Sequence, residues 1–258
     1  MASSLSKQRD YKNIAEKYTE LNAPQVEYGK RLVNLLGLKR GDKVLDMGCG
    51  TGELTSFIAD QVGEEGEVIG VDPDQERIKV ATQKHYGRRR NIKFIVGDSS
   101  SHFPHYNKGY YDFHFSNFVF QWLTVRERDV FLNAAYKCLK PGGKIAIFNT
   151  DKYPEILTDV PKLLPDHEMN GAPQQYIKKA VAQSVLEKSG FKILLSEYVN
   201  GDVEFPSLET FLAWFCASDY IDESKIVPHK KEAFAKKFVK DDGTVYLESQ
   251  LYRIIAKK

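Results

Sequence analysis

Three glycines at alternate positions, directly after an apolar run, constrain this chain more than any other feature of its sequence. Residues 44–52 read VLDMGCGTG, with Gly48, Gly50 and Gly52 in the second half. Glycine allows tight turns and lets a ligand approach the main chain where any Cβ would collide. Glu53 then opens a predicted helix. A strand, a glycine loop and a helix in this order predict a nucleotide-type cofactor site in an α/β fold.

The residue at position 53 indicates which cofactor fits this loop. The dinucleotide-binding fingerprint requires a third glycine three residues after the second, which is position 53 if Gly50 is the second. Glu53 occupies that position, and a carboxylate in the first turn of a helix repels a pyrophosphate bound at the same helix end. S-adenosylmethionine carries no phosphate, so we expect it to fit this loop better than NAD does.

The loop resembles the first motif of the class I S-adenosylmethionine-dependent methyltransferases, which has the form acidic-x-G-x-G-x-G. Asp46, Gly48, Gly50 and Gly52 match that motif residue by residue. The resemblance implies that the loop holds the amino-acid end of the cofactor, with Cys49 packed beside it. It also implies an α/β, Rossmann-like fold, with a seven-stranded, mostly parallel sheet whose last strand is reversed.

Two later apolar runs also end in an acidic residue, and they read EVIGVD and NIKFIVGD. A carboxylate after the first of them can accept hydrogen bonds from both hydroxyls of a ribose, which makes Asp72 the predicted ribose ligand. The alternative role for Asp72 is a helix N-cap ahead of Pro73. The resemblance places Pro73 in the same cofactor-binding segment, and it implies that Asp98 contacts the adenine amino group with Ser99 beside it.

The length of 258 residues and the content of 42% hydrophobic residues suit one domain with elaborations better than two independent domains. The resemblance divides this domain into a helical lid over residues 1–40 and a cofactor-binding core over 41–150. Residues 151–258 then contain the acceptor-side insertions and the final strands. These insertions follow strands five and six.

Strands and helices alternate up to position 148, which predicts a parallel sheet with helices on both faces. Residues 111–118 resemble the central fourth strand of the family, and residues 140–144 resemble the turn before a fifth strand at 145–148. We expect the sixth strand at 191–199 and the reversed last strand at 244–256. The remaining segments predict short helices over 151–171, a helix at 174–188, a helical insertion at 205–220 and a basic helix to position 239.

Charge and cysteine content exclude several classes of function. The net charge of +2 provides no electrostatic footprint for nucleic acid, and the arginine run at 88–90 is typical of a solvated turn. Three cysteines without paired spacing argue against a disulfide framework or a zinc site, so we expect no metal and a reducing compartment. No apolar stretch is long enough for a membrane span or a signal peptide. These features predict a cytoplasmic protein, and they leave its oligomeric state open.

A finer resemblance concerns the acceptor. Residues 116–123 read SNFVFQWL and are similar to the SN-x-x-x-x-W segment of small-acid carboxyl O-methyltransferases, which act on juvenile hormone acid, trans-aconitate or malonyl-carrier protein. The resemblance implies that Gln25 and Trp122 hydrogen-bond an acceptor carboxylate, and that Tyr18 and Asn117 belong to the cofactor side. Gln25 is equally consistent with a helix surface, and Trp122 with core packing.

The chemistry of methyl transfer separates the remaining hypotheses. A carboxylate is already ionised at neutral pH and needs no general base, whereas an alkylammonium must first lose a proton. Among the histidines, His114 alone lies on a predicted strand near the site, where a buried structural histidine is the alternative. We therefore favour methylation of a small carboxylic acid, with an amine or carbon acceptor second and a cofactor-binding protein without transferase chemistry third. The other candidate bases are His102, His105, His167, His229, Tyr11, Tyr18 and Tyr153.

Overall fold

A computed structural model describes residues 11–85, 89–166, 176–219 and 221–258 of the chain. These residues form two compact units. Within these four stretches, no helix is both long enough and apolar enough to cross a lipid bilayer. The larger unit draws its described residues from Pro24–Lys152, Gln174–Gly201 and Gln250–Lys258, and the smaller unit from Met1–Ala23, Tyr153–Pro173 and Asp202–Ser249.

The strands divide between a large sheet and a small one. In chain order they are β1 (Lys43–Met47), β2 (Glu67–Asp72), β3 (Ile92–Val96), β4 (Tyr111–Asn117), β5 (Leu139–Thr150), β6 (Lys192–Asn200), β7 (Val203–Phe205), β8 (Val245–Leu247) and β9 (Gln250–Lys257). Seven of them form the sheet of the larger unit in the order β3-β2-β1-β4-β5-β9-β6. Strand β9 runs antiparallel to both of its neighbours. The predicted seven-stranded, mostly parallel sheet with a reversed last strand is therefore confirmed.

Helices connect the strands and cover the sheet of the larger unit. Strands β1, β2 and β4 are almost continuously buried, as is β5 from Ile145 onward, which is usual for parallel strands covered on both faces. The smaller unit contains β7, β8 and a separate apolar cluster that includes Phe211, Phe215 and Phe234. The helices are α1 (Tyr11–Leu21), α2 (Ala23–Leu36), α3 (Glu53–Val62), α4 (Gln75–His85), α5 (Val125–Cys138), α6 (Glu155–Asp159), α7 (Lys179–Lys188), α8 (Leu208–Ser218) and α9 (Pro228–Phe238).

The prediction of one continuous last strand over 244–256 was wrong. Strand β8 pairs with β7 in the smaller unit, and β9 starts only at Gln250. Ser249 lies between β8 and β9 and pairs with neither strand. Its backbone amide instead donates a hydrogen bond to the carboxylate of Asp202 at 2.9 Å. Phe205 likewise lies in β7 instead of a helix, because Ser207 and Thr210 form a capping box that starts α8 at Leu208.

Two other boundaries differ from the sequence prediction for physical reasons. Helix α7 starts at Lys179, whose backbone amide donates to the carboxylate of Asp151 at 2.6 Å. A side chain 28 residues earlier in the chain thus accepts a hydrogen bond from one of the amides that have no partner within the helix. Strand β5 starts at Leu139, which pairs with Tyr111 before an irregularity shifts the register to that of Phe113 with Lys144. The segment 140–144 therefore belongs to an irregular strand.

The core beneath the central strands gives a stability test. Phe131 on α5 is fully buried and meets the rings of His114 and Phe120 edge to face. We expect Phe131→Ala to lower the free energy of unfolding by about 3–5 kcal/mol, because it leaves a cavity under the sheet. Val125→Ala on the same helix, where the side chain is 70% exposed, should change it by less than about 0.5 kcal/mol. Urea unfolding measures both, and equal losses would contradict this account of the core.

Candidate cofactor and acceptor site

The glycine loop connects the end of β1 to the start of α3. Its three glycines adopt left-handed backbone angles, with φ of 78° at Gly48, 56° at Gly50 and 86° at Gly52. A Cβ on Gly48 would lie 2.2 Å from Val119, and one on Gly52 would lie 2.6 Å from the ring of Phe94. A residue with a side chain at position 48 or 52 would therefore have an unfavourable backbone conformation and would also clash with its neighbour.

Asp46 lies on β1, two residues before the first glycine of the loop, and is only 2% exposed. One of its carboxylate oxygens accepts a hydrogen bond from the hydroxyl of Thr55 at 2.6 Å. Burial raises the pKa of the Asp46 carboxyl to about 7, and the negative charges of Asp72 and Glu53 act in the same direction, although the Thr55 bond opposes them. Near neutral pH, this carboxyl is thus divided between its protonated and ionised forms.

Asp72 lies at the end of β2, on the neighbouring strand, and is 5% exposed. Its two oxygens accept hydrogen bonds from the amides of Gly50 and Asp74, both at 2.9 Å. Burial raises the pKa of its carboxyl, and the positive charge of Arg77 opposes that rise. The side chain therefore connects the glycine loop to the end of the second strand. Each oxygen retains a further lone pair that can accept a hydrogen bond.

Asp74, not Asp72, caps the helix that follows β2. Helix α4 starts at Gln75, and the carboxylate of Asp74 accepts hydrogen bonds from the amides of Glu76 at 2.8 Å and Arg77 at 3.2 Å. Those contacts are typical of an N-terminal cap. Pro73 lies exposed between the two acidic residues. Asp72 is consequently not needed to cap this helix.

Glu53 opens α3 as predicted, but its negative charge is paired with a positive one. Its carboxylate accepts hydrogen bonds from the ammonium of Lys84 at 2.6 Å and the hydroxyl of Thr51 at 2.7 Å. Burial raises the pKa of Glu53, but these bonds outweigh it and the net pKa lies below its usual value. The repulsion of a pyrophosphate that the sequence suggested for Glu53 is thus largely balanced by Lys84. The buried carboxylates of Asp46 and Asp72 exert such repulsion instead.

The third acidic residue follows β3, the neighbour of β2 in the sheet. Asp98 is exposed, and its carboxylate accepts a hydrogen bond from the amide of Ser100 at 2.9 Å and lies 3.2 Å from Nδ1 of His102. Burial raises the pKa of Asp98, but the hydrogen bonds from Ser100 and His102 together outweigh it, so the pKa of this carboxyl is lowered. Ser99 beside it is half-buried. The sequence did not reveal the partnership of Asp98 with His102.

Two predicted site residues, Asn117 for the cofactor and Gln25 for the acceptor, meet near the end of β4. The side-chain amide of Asn117 donates to the backbone carbonyl of Gln25, in the first turn of α2, at 3.0 Å. Phe118 then adopts φ of 56°, a left-handed conformation that costs an aromatic residue about 1–3 kcal/mol. Its amide donates to the carbonyl of Phe148 at 2.8 Å, which holds that conformation. The structure therefore brings Gln25 and Asn117 together, although the sequence assigned them to different ligands.

Trp122 ends a 3-10 turn, Phe120–Trp122, that follows β4. Its side chain is 43% exposed, so ordinary core packing does not describe it. Arg128 is buried on α5 and donates from Nε to the carbonyl of Phe120 at 3.1 Å. The guanidinium thereby fixes the turn that presents Trp122. Sequence reasoning missed Arg128, because no local pattern links it to that turn.

His114 lies in the middle of β4 and is almost fully buried. Its ring meets Phe131 edge to face with ring centroids 5.0 Å apart, and within the described residues its Nδ1 has no hydrogen-bond partner. Burial lowers the pKa of the imidazole to about 3, so it is neutral at physiological pH. A group with such low affinity for protons is a poor general base.

The remaining candidates are dispersed. Tyr18 lies in α1 and Tyr153 precedes α6, both in the smaller unit, and the Tyr153 hydroxyl donates to the carbonyl of Leu157. His105 stacks on Tyr110, just before β4 begins, at the opposite end of that strand from Asn117. His229 belongs to α9 in the smaller unit. His167 and the side chain of Tyr11 lie outside the described residues.

Two structural features concern other chemistry. Burial raises the pKa of the Cys49 thiol in the glycine loop, which is typical of a packed, protonated cysteine. Across the part of the chain that the structure describes, no group of three or more His, Cys, Asp or Glu side chains could hold a metal ion.

Comparison with known proteins agrees with this geometry. Residues 44–143 match the model of a family described as a methyltransferase domain. The demethylmenaquinone methyltransferase of Lactobacillus johnsonii is 28% identical over 214 residues, which cover 74% of this chain and 86% of that protein. That of Staphylococcus aureus is 30% identical over 149 residues, which cover 56% of this chain and 60% of the relative. The fold also resembles that of a SAM dependent methyltransferase from Aquifex aeolicus, with a TM-score of 0.60, 18% identity, and coverage of 94% and 97% of the two chains.

The segment that matches the family model starts in β1 and ends in the first part of β5, so it contains the glycine loop and the acidic residues Asp46, Asp72 and Asp98. Residues 44–143 are thus similar to a methyltransferase domain, and the family match and these relatives support an enzyme that uses S-adenosylmethionine as its methyl donor, on a Rossmann-like methyltransferase fold. The similarity to small-acid carboxyl O-methyltransferases is not confirmed, because these relatives carry the name demethylmenaquinone methyltransferase.

The raised pKa of Asp46 predicts how stability depends on pH. An unfolded aspartate titrates near pH 3.9, whereas the folded Asp46 holds its proton up to about pH 7. Between these values the folded state binds more protons, so this group makes the protein less stable as pH rises. We expect Asp46→Asn, which can still accept the Thr55 hydrogen bond, to be more stable than the natural protein at pH 8 and to lose much of that advantage at pH 5. Urea unfolding at both pH values measures the difference, and an advantage that is equal at both would contradict the assignment.

Proposed function

We propose that this methyltransferase transfers the methyl group of S-adenosylmethionine to a carboxylate oxygen of a small organic acid. In this proposal Asp46, Gly48, Cys49, Gly50 and Gly52 hold the amino-acid end of the cofactor. The adjoining strand ends hold its ribose and adenine. The residues assigned to those two parts are Asp72 and Pro73 for the ribose, and Asp98 and Ser99 for the adenine.

The charge of the site supports this assignment. Asp46 and Asp72 are both buried beside the glycine loop, where an anion would meet unfavourable charge. A ligand that carries an ammonium and a sulfonium group would instead stabilise the ionised carboxylates. The free lone pairs of Asp72 suit the two hydroxyls of a ribose, and a charge-assisted hydrogen bond of this kind contributes about 1.5–3 kcal/mol. The residues present therefore fit S-adenosylmethionine.

The chain's own residues would act by positioning. When bound, S-adenosylmethionine supplies an electrophilic methyl group on a sulfonium sulfur. The acceptor oxygen forms a bond to the methyl carbon while the carbon–sulfur bond breaks, its electron pair stays on sulfur, and no proton has to move. Gln25 and Trp122 would hold the carboxylate by hydrogen bonds in line with that methyl group. Such alignment can supply about 7–11 kcal/mol of the barrier reduction.

The observation that carries the choice of acceptor is the state of His114. Its imidazole is buried, and its pKa of about 3 makes it unsuited to removing a proton from an ammonium. A carboxylate acceptor needs no such step, because it is already ionised at neutral pH. We therefore assign His114 a packing role against Phe131 and no part in the chemistry.

The names of the relatives favour a second candidate, methylation of carbon. Two relatives that are 28% and 30% identical are demethylmenaquinone methyltransferases. Carbon methylation of a hydroxylated ring would require a hydroxyl proton to be lost, so a base or a bound water must accept it. Among the described tyrosines, Tyr18 and Tyr153 are the candidates for that role. Loss of activity on changing either of them, with Gln25→Ala harmless, would favour this second reaction or N-methylation of an amine over the first.

The cofactor assignment gives a direct binding test. We expect Asp72→Ala to weaken S-adenosylmethionine binding by at least about tenfold, because two hydrogen bonds to a charged group are lost. Gly50→Val should abolish binding, since a β-branched residue is strongly disfavoured at φ of 56°. Isothermal titration calorimetry measures both, and Asp60→Ala on the exposed face of α3 is the matched control. An unchanged dissociation constant for a folded Asp72→Ala protein would refute the ribose assignment.

The acceptor assignment is tested by product analysis. The protein is incubated with deuteromethyl-labelled S-adenosylmethionine and, in separate reactions, with aliphatic and terpenoid acids, di- and tricarboxylates, hydroxylated quinols and biogenic amines. We expect mass spectrometry to find labelled methyl esters. For the best acid, Trp122→Phe should raise the KM about tenfold, because a hydrogen bond to a charged group is lost. Trp214→Phe, which changes the other tryptophan of the chain, should leave the KM nearly unchanged.

The products decide between the candidate reactions. Labelled quinols with no labelled ester would replace the carboxylate proposal by carbon methylation. Labelled amines alone would replace it by N-methylation, which needs a base that removes a proton from the ammonium. A KM for the acid that is unaffected by both Trp122→Phe and Gln25→Ala would contradict the roles given to these two residues.

A further inference from the structure

Asn117 lies between the glycine loop and the first turn of α2. Ser116 pairs with Met47 across β4 and β1, so that Asn117, the last residue of β4, lies beside the start of the glycine loop. The side chain of Val119 packs against Gly48, because a Cβ on Gly48 would lie only 2.2 Å from it. The segment after β4 therefore contacts the loop to which we assign the cofactor.

The other side of Asn117 contacts the helix that carries Gln25. Its Nδ2 donates to the Gln25 carbonyl at 3.0 Å, and a carbonyl only accepts hydrogen bonds. The orientation of the side-chain amide is thereby determined, with Nδ2 towards α2 and Oδ1 away from that carbonyl. Within the described residues, Oδ1 is buried and has no hydrogen-bond partner. Buried acceptors in native proteins nearly always have a donor, which points to a donor on a ligand.

We infer that Asn117 is a positioning residue that couples the cofactor to the acceptor side. Its Oδ1 accepts a hydrogen bond from an N–H or O–H group of the bound cofactor, while its Nδ2 holds the first turn of α2 and hence Gln25. Occupancy of the cofactor site then restrains the segment that carries Gln25. This inference rests on the proposed function of the loop and adds a role that neither the motif nor the relatives assign.

The backbone next to Asn117 is built to keep this geometry. Phe118 has an unfavourable left-handed conformation, which is held by its hydrogen bond to the Phe148 carbonyl and by the packing of the two rings with centroids 5.4 Å apart. Strained residues persist where the surrounding contacts determine them, and they are frequent at ligand sites. A purely structural tie between β4 and α2 would need Nδ2 alone, and it would leave no reason for an unsatisfied Oδ1.

Hydrogen–deuterium exchange tests the coupling without knowledge of the acceptor. The backbone amides of residues 26–30 in α2 are followed by mass spectrometry with and without S-adenosylhomocysteine. We expect the bound nucleoside to slow their exchange by at least about threefold in the natural protein, because it restrains local opening. Asn117→Ala removes both hydrogen bonds, so it should weaken binding about tenfold as well as abolish the slower exchange.

Asn117→Asp separates the two bonds. A carboxylate can still accept a hydrogen bond from the nucleoside, but it cannot donate to the Gln25 carbonyl. We expect this variant to bind S-adenosylhomocysteine within about threefold of the natural protein, yet to lose the slower exchange in α2. Asn133→Asp on the exposed face of α5 is the matched control and should behave like the natural protein.

The outcomes distinguish this inference from the proposed function. Binding of S-adenosylhomocysteine without slower exchange in α2 of the natural protein would overturn the coupling alone. Slower exchange that persists in Asn117→Asp would also overturn it, because the bond to Gln25 would then be irrelevant. If S-adenosylhomocysteine does not bind the natural protein at all, the proposed function fails and the coupling fails with it.

Discussion

The structure depends on the burial of two carboxylates at the edge of the sheet where the helices begin. In a parallel α/β sheet, the amino ends of the helices point towards the carboxyl ends of the strands and carry partial positive charge. Such an edge normally attracts anions. Here Asp46 and Asp72 are buried at that edge. The carboxylate of Asp72 also accepts a hydrogen bond from the amide of Gly50, which ties it to the glycine loop. These acids convert the loop into a site that favours a cation.

The opposite edge of the sheet has the complementary arrangement. The ammonium of Lys144 donates to the carbonyl of Leu36 at the end of α2, and that of Lys258 donates to the carbonyl of Leu139, where α5 ends. These ends of the helices carry partial negative charge, which the two lysines balance. Buried acidic side chains therefore lie beside the glycine loop at one edge, and basic side chains bind the helix ends at the other. This separation also explains why a net charge of +2 says little about the site itself.

The alternation of strands and helices was sufficient to predict a parallel sheet, and the apolar runs were sufficient to place the acidic residues, because both are local patterns, whereas the reversed last strand followed from the family resemblance. Apolar runs ending in Asp46 and Asp72 identify strands, and the carboxyl ends of parallel strands meet at one edge. The pairing of side chains could not be predicted in the same way. Glu53 and Lys84 are 31 residues apart in the chain, and Asn117 and Gln25 are 92 apart. Such contacts depend on tertiary packing, which no local pattern encodes.

The acceptor side is less determined by the sequence for the same reason. Trp122 was predicted from a short motif, but its exposure depends on a turn that Arg128 holds from α5. The helical lid, the single-domain organisation and the cytoplasmic location stay predictions. The central claim concerns the loop, and calorimetric titration with S-adenosylmethionine and with NAD at pH 8 tests it most directly. We expect S-adenosylmethionine to bind and NAD to give no detectable binding at the same concentration, whereas tighter binding of NAD would contradict the account.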